Sequence, residues 1–250
     1  MDGARLDGRV GLVTGASRGL GAAVAVRLAK AGAHLVLLAR TQGGLEDTDD
    51  AIRAAGGGSA TLIPLDLREF DRIDALGAAI YERFGRLDIL VGAAAVPGTL
   101  SPVGHFDPKT WQEVIDVNLT ANWRLLRALD PLLRRSPSGR AIFVTCAAAR
   151  ELEPYWGAYA ASKSALEALV RIYAGEIERS DMRANLVDPG PMRTRLRAAG
   201  FPREDPNTLR RPEDATAPFV VLAAAECAMN GETVVLPPAG EAVAGPASGA

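Results

Sequence analysis

Cysteine and histidine are scarce in this chain of 250 residues, which contains only Cys146, Cys227, His34 and His105. Two cysteines cannot form a disulfide framework, and a chain of this length can bury a core large enough to do without one. No cluster of cysteine and histidine offers the ligands of a structural zinc site. We therefore expect no bound metal.

Aromatic residues and excess charge of one sign are also lacking. Aromatic residues make up 5% of the sequence, the formal net charge is −2 and the isoelectric point is about 5.8. These values exclude the basic patches and stacking platforms that nucleic-acid-binding proteins use. We expect the partner to be a small-molecule substrate and not a nucleic acid.

Long hydrophobic runs are absent as well. The longest uncharged stretch, residues 89–106, is interrupted by prolines and glycines and cannot span a bilayer as a regular helix. Residues 1–10 contain no apolar core of a signal peptide. We therefore expect a cytoplasmic protein that does not associate with membranes.

What the sequence does contain is a regular alternation of short apolar runs and helix-length amphipathic segments. Strands are predicted at Val10–Thr14, His34–Ala39, Thr61–Leu65, Leu87–Val91, Ala141–Thr145, Asn185–Val187 and Glu232–Leu236. Helices are predicted at Ala22–Ala31, Leu45–Ala55, Ile73–Phe84, Thr110–Leu133, Ala158–Arg179 and Glu213–Ala225.

Several predicted strands are apolar throughout, which is typical of a parallel sheet buried on both faces. Repeated strand–helix units of this length predict an α/β fold with a doubly wound parallel sheet (a Rossmann fold) and helices on both faces. We assign residues 1–236 to this single domain. Residues 237–250 are low in large apolar residues, and we expect them to form a disordered tail.

The turn after the first predicted strand has the sequence TGASRGLG at residues 14–21. Glycines in such a turn let backbone N–H groups approach a pyrophosphate at the N-terminus of the following helix. A glycine-rich turn without a ligand is the alternative, but the position of this one favours a dinucleotide. Its candidate cofactor-binding residues are Gly15, Ser17, Arg18, Gly19, Leu20 and Gly21.

The end of the second predicted strand bears on the choice of cofactor. An acidic residue there would bind the ribose 2′-hydroxyl of NAD, but the chain has Arg40 and Thr41. Arg40 and Arg18 supply positive charge that suits a 2′-phosphate, unless both are simply solvated. NADP(H) is thus the expected cofactor, with NAD(H) possible. Asp66, after the third strand, is expected either to accept from the adenine amino group or to cap the next helix.

Tyr159 and Lys163 lie four residues apart at the start of a predicted helix, which places them on one face. A nearby ammonium favours the phenolate, so we expect it to lower the tyrosine pKa from about 10. Such a tyrosine is suited to general acid–base catalysis. By itself, a tyrosine and a lysine at this spacing usually lie on the protein surface without a catalytic role, but here the pair accompanies the glycine-rich turn.

With these motifs, the chain resembles the short-chain dehydrogenase/reductase family from Leu6 to about Leu236. The resemblance rests on TGASRGLG at 14–21, Asp66-Leu67, LDILV at 87–91, VNL around Asn118, YAASK at 159–163 and DPGPMRT at 188–194. It implies that Tyr159 donates or accepts the proton, Lys163 holds the nicotinamide ribose and Asn118 supports a water in the proton relay. It also implies cofactor contacts at Asp66, Leu67, Ala93, Ala94, Asn118, Tyr159, Lys163, Pro189, Gly190, Met192 and Thr194.

The chain departs from the family pattern in two places. The family usually has a serine thirteen residues before the tyrosine, where this chain has Cys146. A thiol is a weaker donor than a hydroxyl, so we expect Cys146 to polarise the substrate carbonyl less well, unless it is only an apolar filler. Thr145 should point to the other side of the strand. The family's NNAG is replaced by GAAA at 92–95, which leaves room for the cofactor but removes side-chain hydrogen bonds.

The sequence therefore predicts an oxidoreductase (EC 1.1.1.-) that transfers a hydride between NADP(H) and an alcohol or carbonyl substrate. Two alternatives remain open: a nucleotide-binding sensor or assembly partner without efficient chemistry, and a non-redox enzyme acting on a biosynthetic intermediate. By the family resemblance we expect a homodimer or homotetramer. Trp111 and Trp123, on the long predicted helix, are expected in an interface or in the core.

Overall fold

The apolar runs form the strands of one seven-stranded parallel sheet in the computed structural model, which describes residues 4–238. The strands are β1 (Val10–Thr14), β2 (His34–Ala39), β3 (Thr61–Pro64), β4 (Ile89–Gly92), β5 (Arg140–Val144), β6 (Arg183–Asp188) and β7 (Thr233–Val235). Their order in the sheet is β3-β2-β1-β4-β5-β6-β7. The chain therefore reverses direction across the sheet between β1 and β4, where doubly wound proteins bind their ligands.

Helices cover both faces of this sheet. They are α1 (Gly19–Lys30), α2 (Gln42–Ala54), α3 (Phe70–Phe84), α4 (Pro108–Ile115), α5 (Ala121–Leu133), α6 (Ala148–Glu151), α7 (Gly157–Glu176), α8 (Arg195–Gly200) and α9 (Ala217–Ala223). A π-helical turn, Asp116–Thr120, joins α4 to α5, and short 3₁₀ turns occur at Val103–His105, Pro206–Thr208 and Pro212–Ala215. No helix in the described part of the chain is long and apolar enough to cross a membrane.

The core consists of two apolar layers, one on each side of the sheet. Neighbouring strand residues face opposite layers, as the alternation of side chains along a strand requires. In β1, Leu12 packs in the layer beneath α3, α5 and α7, whereas Val13 packs in the layer that contains α1 and α9. Both side chains are fully buried. The single α/β domain with a doubly wound parallel sheet is thus confirmed.

Some predicted boundaries were wrong. The helix predicted at Thr110–Leu133 contains the π-helical turn, and the one predicted at Glu213–Ala225 is a 3₁₀ turn followed by the shorter helix α9. Pro218 lies in the first turn of α9, where its missing N–H costs no helical hydrogen bond. Trp111 and Trp123 are both exposed, which excludes the core for them and leaves the interface a prediction. Most of the predicted tail, residues 239–250, lies outside the described residues.

Helices α3 and α5 approach each other closely at Gly77, where an added Cβ would lie 2.5 Å from the carbonyl oxygen of Ala128. We expect Gly77→Ala to lower the free energy of unfolding by about 1–3 kcal/mol, because the helices must move apart. Gly175 in α7 is the matched control, since an added Cβ there meets nothing within 4 Å. Gly175→Ala should raise the free energy of unfolding by up to about 1 kcal/mol. Denaturant unfolding measures both, and equal effects would contradict the close approach.

Candidate active site

A cleft of about 1320 Å³ lies at the carboxyl ends of the strands. Every residue that the sequence singled out for the cofactor lines it, with the exception of Asn118, which is fully buried behind its wall. The glycine-rich turn and the ends of β2 and β3 form one side. Cys146, Tyr159 and Lys163 lie on the other side, so the structure brings the two predicted halves of the site together.

The glycine-rich turn is held in a tight loop against the segment after β4. Gly15 and Gly19 have φ angles of +67° and +57°, and an added Cβ at Gly15 would lie 2.8 Å from Cα of Ala94. The N-terminus of α1 behind this loop has no side-chain cap and no acidic residue in its first turn. Its first N–H groups and the positive end of its dipole are thus available to an anion in the cleft. These features fit the pyrophosphate of a dinucleotide.

Two arginines flank the same end of the cleft. Arg18 and Arg40 are exposed and line it, and neither guanidinium has a hydrogen bond or a contact ion pair within residues 4–238. Ser17 and Thr41 lie beside them in the lining. The site therefore presents two cations without contact partners where the end of β2 meets the N-terminus of α1.

Asp66 follows β3 and lines the cleft beside these arginines. Its carboxylate accepts hydrogen bonds from the backbone N–H of Arg68 at 3.0 Å and from the Arg68 guanidinium at 2.7 Å. The Arg68 hydrogen bond lowers the pKa of the Asp66 carboxyl, and the charge of Arg40 adds a smaller effect in the same direction. The alternative that Asp66 caps the next helix was wrong, because α3 begins at Phe70 with Glu69 at its cap position. The contact with adenine stays a prediction.

Thr14, which the sequence analysis did not single out, steadies the GAAA segment. Its hydroxyl oxygen accepts hydrogen bonds from the backbone N–H groups of Ala93 and Ala94, at 3.1 and 3.2 Å. The segment therefore has polar anchorage from β1 even though it lacks the family's asparagines. The sequence did contain a sign of this role, because Thr14 is a polar residue at the last position of an otherwise apolar strand.

Tyr159 and Lys163 lie on the first turns of α7, and both are buried. Tyr159 and Cys146, which follows β5, line the same cleft, and Cys146 is among the groups that raise the pKa of Tyr159. The Thr145 hydroxyl donates to Glu167 at 2.8 Å, so it is not available in place of Cys146.

The expectation that Lys163 lowers the pKa of Tyr159 was wrong for this arrangement. Burial raises the pKa of Tyr159 well above its ordinary value, and the contact with Cys146 raises it further. The Lys163 ammonium lies 5.9 Å from the centre of the Tyr159 ring and donates to the carbonyl of Val144 at 2.8 Å. Burial also lowers the pKa of Lys163. Loss of hydration on burial is thus the largest influence on both pKa values.

Asn118 lies in the π-helical turn between α4 and α5. Its side-chain amide donates to the carbonyl of Val96 at 3.0 Å and to the hydroxyl of Ser162 at 3.1 Å, and its oxygen accepts from the N–H of Val96 at 2.9 Å. The side chain therefore ties the segment after β4 to the catalytic helix α7. A role for Asn118 in holding a water stays a prediction.

The segment after β6 supplies the remaining wall. Pro189, Gly190, Met192 and Thr194 all line the cleft. The Gly190 N–H donates to the carboxylate of Asp188 at 3.0 Å, and the Thr194 hydroxyl caps α8 by accepting from the N–H of Arg197 at 3.2 Å.

An aromatic contact joins α8 to the catalytic helix. The Trp156 ring lies edge-on to Tyr159 at 5.6 Å and is stacked on Phe201 at 5.4 Å. The Arg197 guanidinium lies over the Phe201 ring, 3.6 Å from its centre, and forms a salt bridge with Glu204 at 2.7 Å. Trp156 is half-buried, and its ring forms part of the apolar wall of the cleft next to Tyr159.

Comparison with known proteins agrees with this geometry. Residues 9–205 match the family model described as short chain dehydrogenase. The chain is 36% identical over 211 residues to YciK of Escherichia coli, described as an uncharacterized oxidoreductase, with 84% of this chain and 83% of that protein covered. It is 38% identical over 200 residues to an uncharacterized NAD-dependent oxidoreductase of Mycobacterium tuberculosis, with 75% and 72% covered.

Solved structures show the same fold. A short chain dehydrogenase from Salmonella enterica superposes with a TM-score of 0.88 at 33% identity, covering 92% of this chain and 96% of that one. A chain from Escherichia coli complexed with NADPH superposes with a TM-score of 0.88 at 34% identity, covering 92% and 97%.

Proposed function

The chain belongs to the short-chain dehydrogenase/reductase family, whose members use a nicotinamide cofactor, and we propose that it is an NADP(H)-dependent oxidoreductase that interconverts an alcohol and a ketone or aldehyde. The observation that carries this proposal is the buried phenol of Tyr159, which meets the Cys146 thiol in the same cleft as the uncapped N-terminus of α1. A proton-transfer group and an anion-binding site thus face one space.

A bound reduced nicotinamide supplies the hydride in such a reaction. Tyr159 donates its proton to the carbonyl oxygen of the substrate, and burial keeps the phenol protonated until that oxygen develops negative charge. The Cys146 thiol donates a second, weaker hydrogen bond to the same oxygen. Lys163, held between α7 and the end of β5, binds the ribose and presents its positive charge to the tyrosine after proton transfer.

The preference for NADP(H) rests on Arg18 and Arg40, which line the cleft and have no contact partner among the residues that the structure describes. Guanidinium groups form strong, charge-assisted hydrogen bonds with phosphate. The Escherichia coli relative bound to NADPH supports this preference. The mycobacterial relative is described as NAD-dependent, so the two cofactors must be compared directly.

We expect Arg40→Ala to weaken NADPH binding by about 10- to 100-fold and to leave NADH binding nearly unchanged, because one charged hydrogen bond to the 2′-phosphate is lost. Fluorescence titration with both nucleotides measures the ratio of the two dissociation constants. Arg179→Ala, which removes an exposed arginine outside the cleft, is the matched control. Equal losses for both nucleotides, or tighter binding of NADH by the wild type, would contradict the NADP(H) assignment.

We expect Tyr159→Phe to lower kcat by about 10²- to 10⁴-fold while NADPH still binds, because only the proton-transfer group is removed. A panel of ketones and aldehydes, followed at the nicotinamide absorbance, measures the rate. Unchanged turnover in this variant would disprove the mechanism. A wild type that binds the nucleotide but turns over no carbonyl would instead favour the sensor or the non-redox enzyme.

Cys146→Ser should keep or raise kcat, because a hydroxyl donates a stronger hydrogen bond than a thiol to the developing oxyanion. Cys227→Ser is the matched control, since Cys227 is the second free cysteine and lies outside the cleft. The same carbonyl assay measures both variants. A large loss in Cys146→Ser alone would show that the thiol has a role that a hydroxyl cannot fill.

A further inference from the structure

Two buried carboxylates lie behind the catalytic groups, and the proposed reaction uses neither of them. Glu167 follows Tyr159 and Lys163 by eight and four residues on α7, so the three share one face of the helix. Asp188 ends β6, directly before the Pro189–Gly190 wall of the cleft. Their side chains are only 5% and 2% exposed. Burying carboxylates to this extent costs desolvation free energy that destabilises the fold unless cations neutralise them.

A single guanidinium, that of Arg150 at the end of α6, bridges both carboxylates. Its Nη1 lies 2.6 Å from Oε1 of Glu167, and its Nη2 donates to Oδ2 of Asp188. The Arg150 side chain is 38% exposed, so solvent reaches it from outside. Arg171 also pairs with Glu167, at 3.0 Å from Oε2, but it makes no contact with Asp188 among the described residues.

The bridge connects the elements that carry the active site. Glu167 accepts the Thr145 hydroxyl next to Cys146, and the carboxylate of Asp188 accepts the N–H of Gly190 at 3.0 Å. Through Arg150, the end of β5, the catalytic helix α7 and the cleft wall after β6 are therefore held in one arrangement. Removing the guanidinium would leave Asp188 without its contact ion pair, whereas Glu167 would keep its ion pair with Arg171.

The charge of Asp188 also interacts electrostatically with Tyr159 and Lys163. It adds to burial and to Cys146 in raising the pKa of Tyr159, and with Cys146 it partly offsets the lowering of the Lys163 pKa by burial. The groups that face the phenol are Cys146 from β5, Lys163 from α7, Asp188 from β6 and the apolar ring of Trp156. The exposed residues Glu151, Glu153, Arg193 and Arg195 also line the cleft. Of the carboxylates, Asp188 is the buried one, and its neutralisation depends on Arg150.

We propose that Arg150 is a positioning residue of the reaction, which holds Asp188 and Glu167 together and shields the proton-transfer group from the charge of Asp188. This inference rests on the proposed oxidoreductase function. It assigns a role in proton transfer to a residue that does not itself line the cleft and acts through Asp188.

The test is the pH dependence of kcat for alcohol oxidation, in which Tyr159 must lose its proton. The rate therefore rises with pH through the apparent pKa of Tyr159. In Arg150→Gln the unshielded charge of Asp188 should raise that pKa, and the rising limb should move to higher pH by about one unit. At pH values below the apparent pKa, the kcat of Arg150→Gln should therefore be roughly tenfold lower than that of the wild type, since one pKa unit is a factor of ten.

Three further variants separate charge from structure. Arg150→Lys keeps the positive charge and should keep the wild-type pH profile, although a lysine cannot form the two-pronged bridge. Arg171→Gln removes the other cation on Glu167 and should leave the profile in place. The double variant Arg150→Gln/Asp188→Asn removes both charges of one pair and should return the limb to its wild-type position, because an asparagine oxygen still accepts from Gly190.

We expect the rising limb of the pH profile to be shifted in Arg150→Gln. We expect it at its wild-type position in Arg150→Lys and in the double variant. If Arg150→Gln does not fold, as judged by its unfolding transition and nucleotide binding, the double variant decides: a wild-type profile there supports the proposal, and a shifted one overturns it. An unshifted limb in folded Arg150→Gln, or the same shift in Arg171→Gln, would also overturn it. A wild type inactive with every alcohol and carbonyl would overturn the proposed function itself, which is a distinguishable result.

Discussion

Burial of the parallel sheet on both faces is the constraint on which the rest of the structure depends. Side chains along strands such as β1 and β2 lie in one or other of two apolar layers, and the polar groups of the candidate site lie where the strands end. At the carboxyl ends, the reversal between β1 and β4 opens a cleft, and the N-terminus of α1 points into it uncapped. The binding site for an anionic cofactor and the proton-transfer site are both consequences of this arrangement.

The same burial controls the chemistry of the catalytic pair. A phenol and an ammonium side by side would favour the phenolate in water, but here both have lost their hydration and the lysine donates to a backbone carbonyl. Burial therefore favours the protonated form of Tyr159, which is the form that the proposed role as an acid requires. The buried Asp188 carboxylate, which Arg150 bridges to Glu167, also contributes to the raised pKa of Tyr159.

The two departures from the family pattern have different structural consequences. The missing asparagines after β4 are partly offset by the Thr14 hydroxyl, which holds the backbone of Ala93 and Ala94. Cys146 has no such substitute. The Thr145 hydroxyl donates to Glu167, so among the residues directly after β5 the Cys146 thiol is the group that acts on the pKa of Tyr159. The structure thus retains the geometry of an oxidoreductase site with a weaker donor at one position.

Local sequence patterns determined much of this protein: the strands β1 and β2 to the residue, the fold class, the glycine-rich turn and the placement of Tyr159 and Lys163 on one helix face. These features depend on periodicity and on contacts within a few residues. Only the tertiary structure decided the direction of the Tyr159 pKa, the anchorage by Thr14 and the bridge from Arg150 to Asp188. The physical reason is that desolvation and ion pairing depend on which distant segments pack together, and Arg150 and Asp188 are separated by 38 residues of chain.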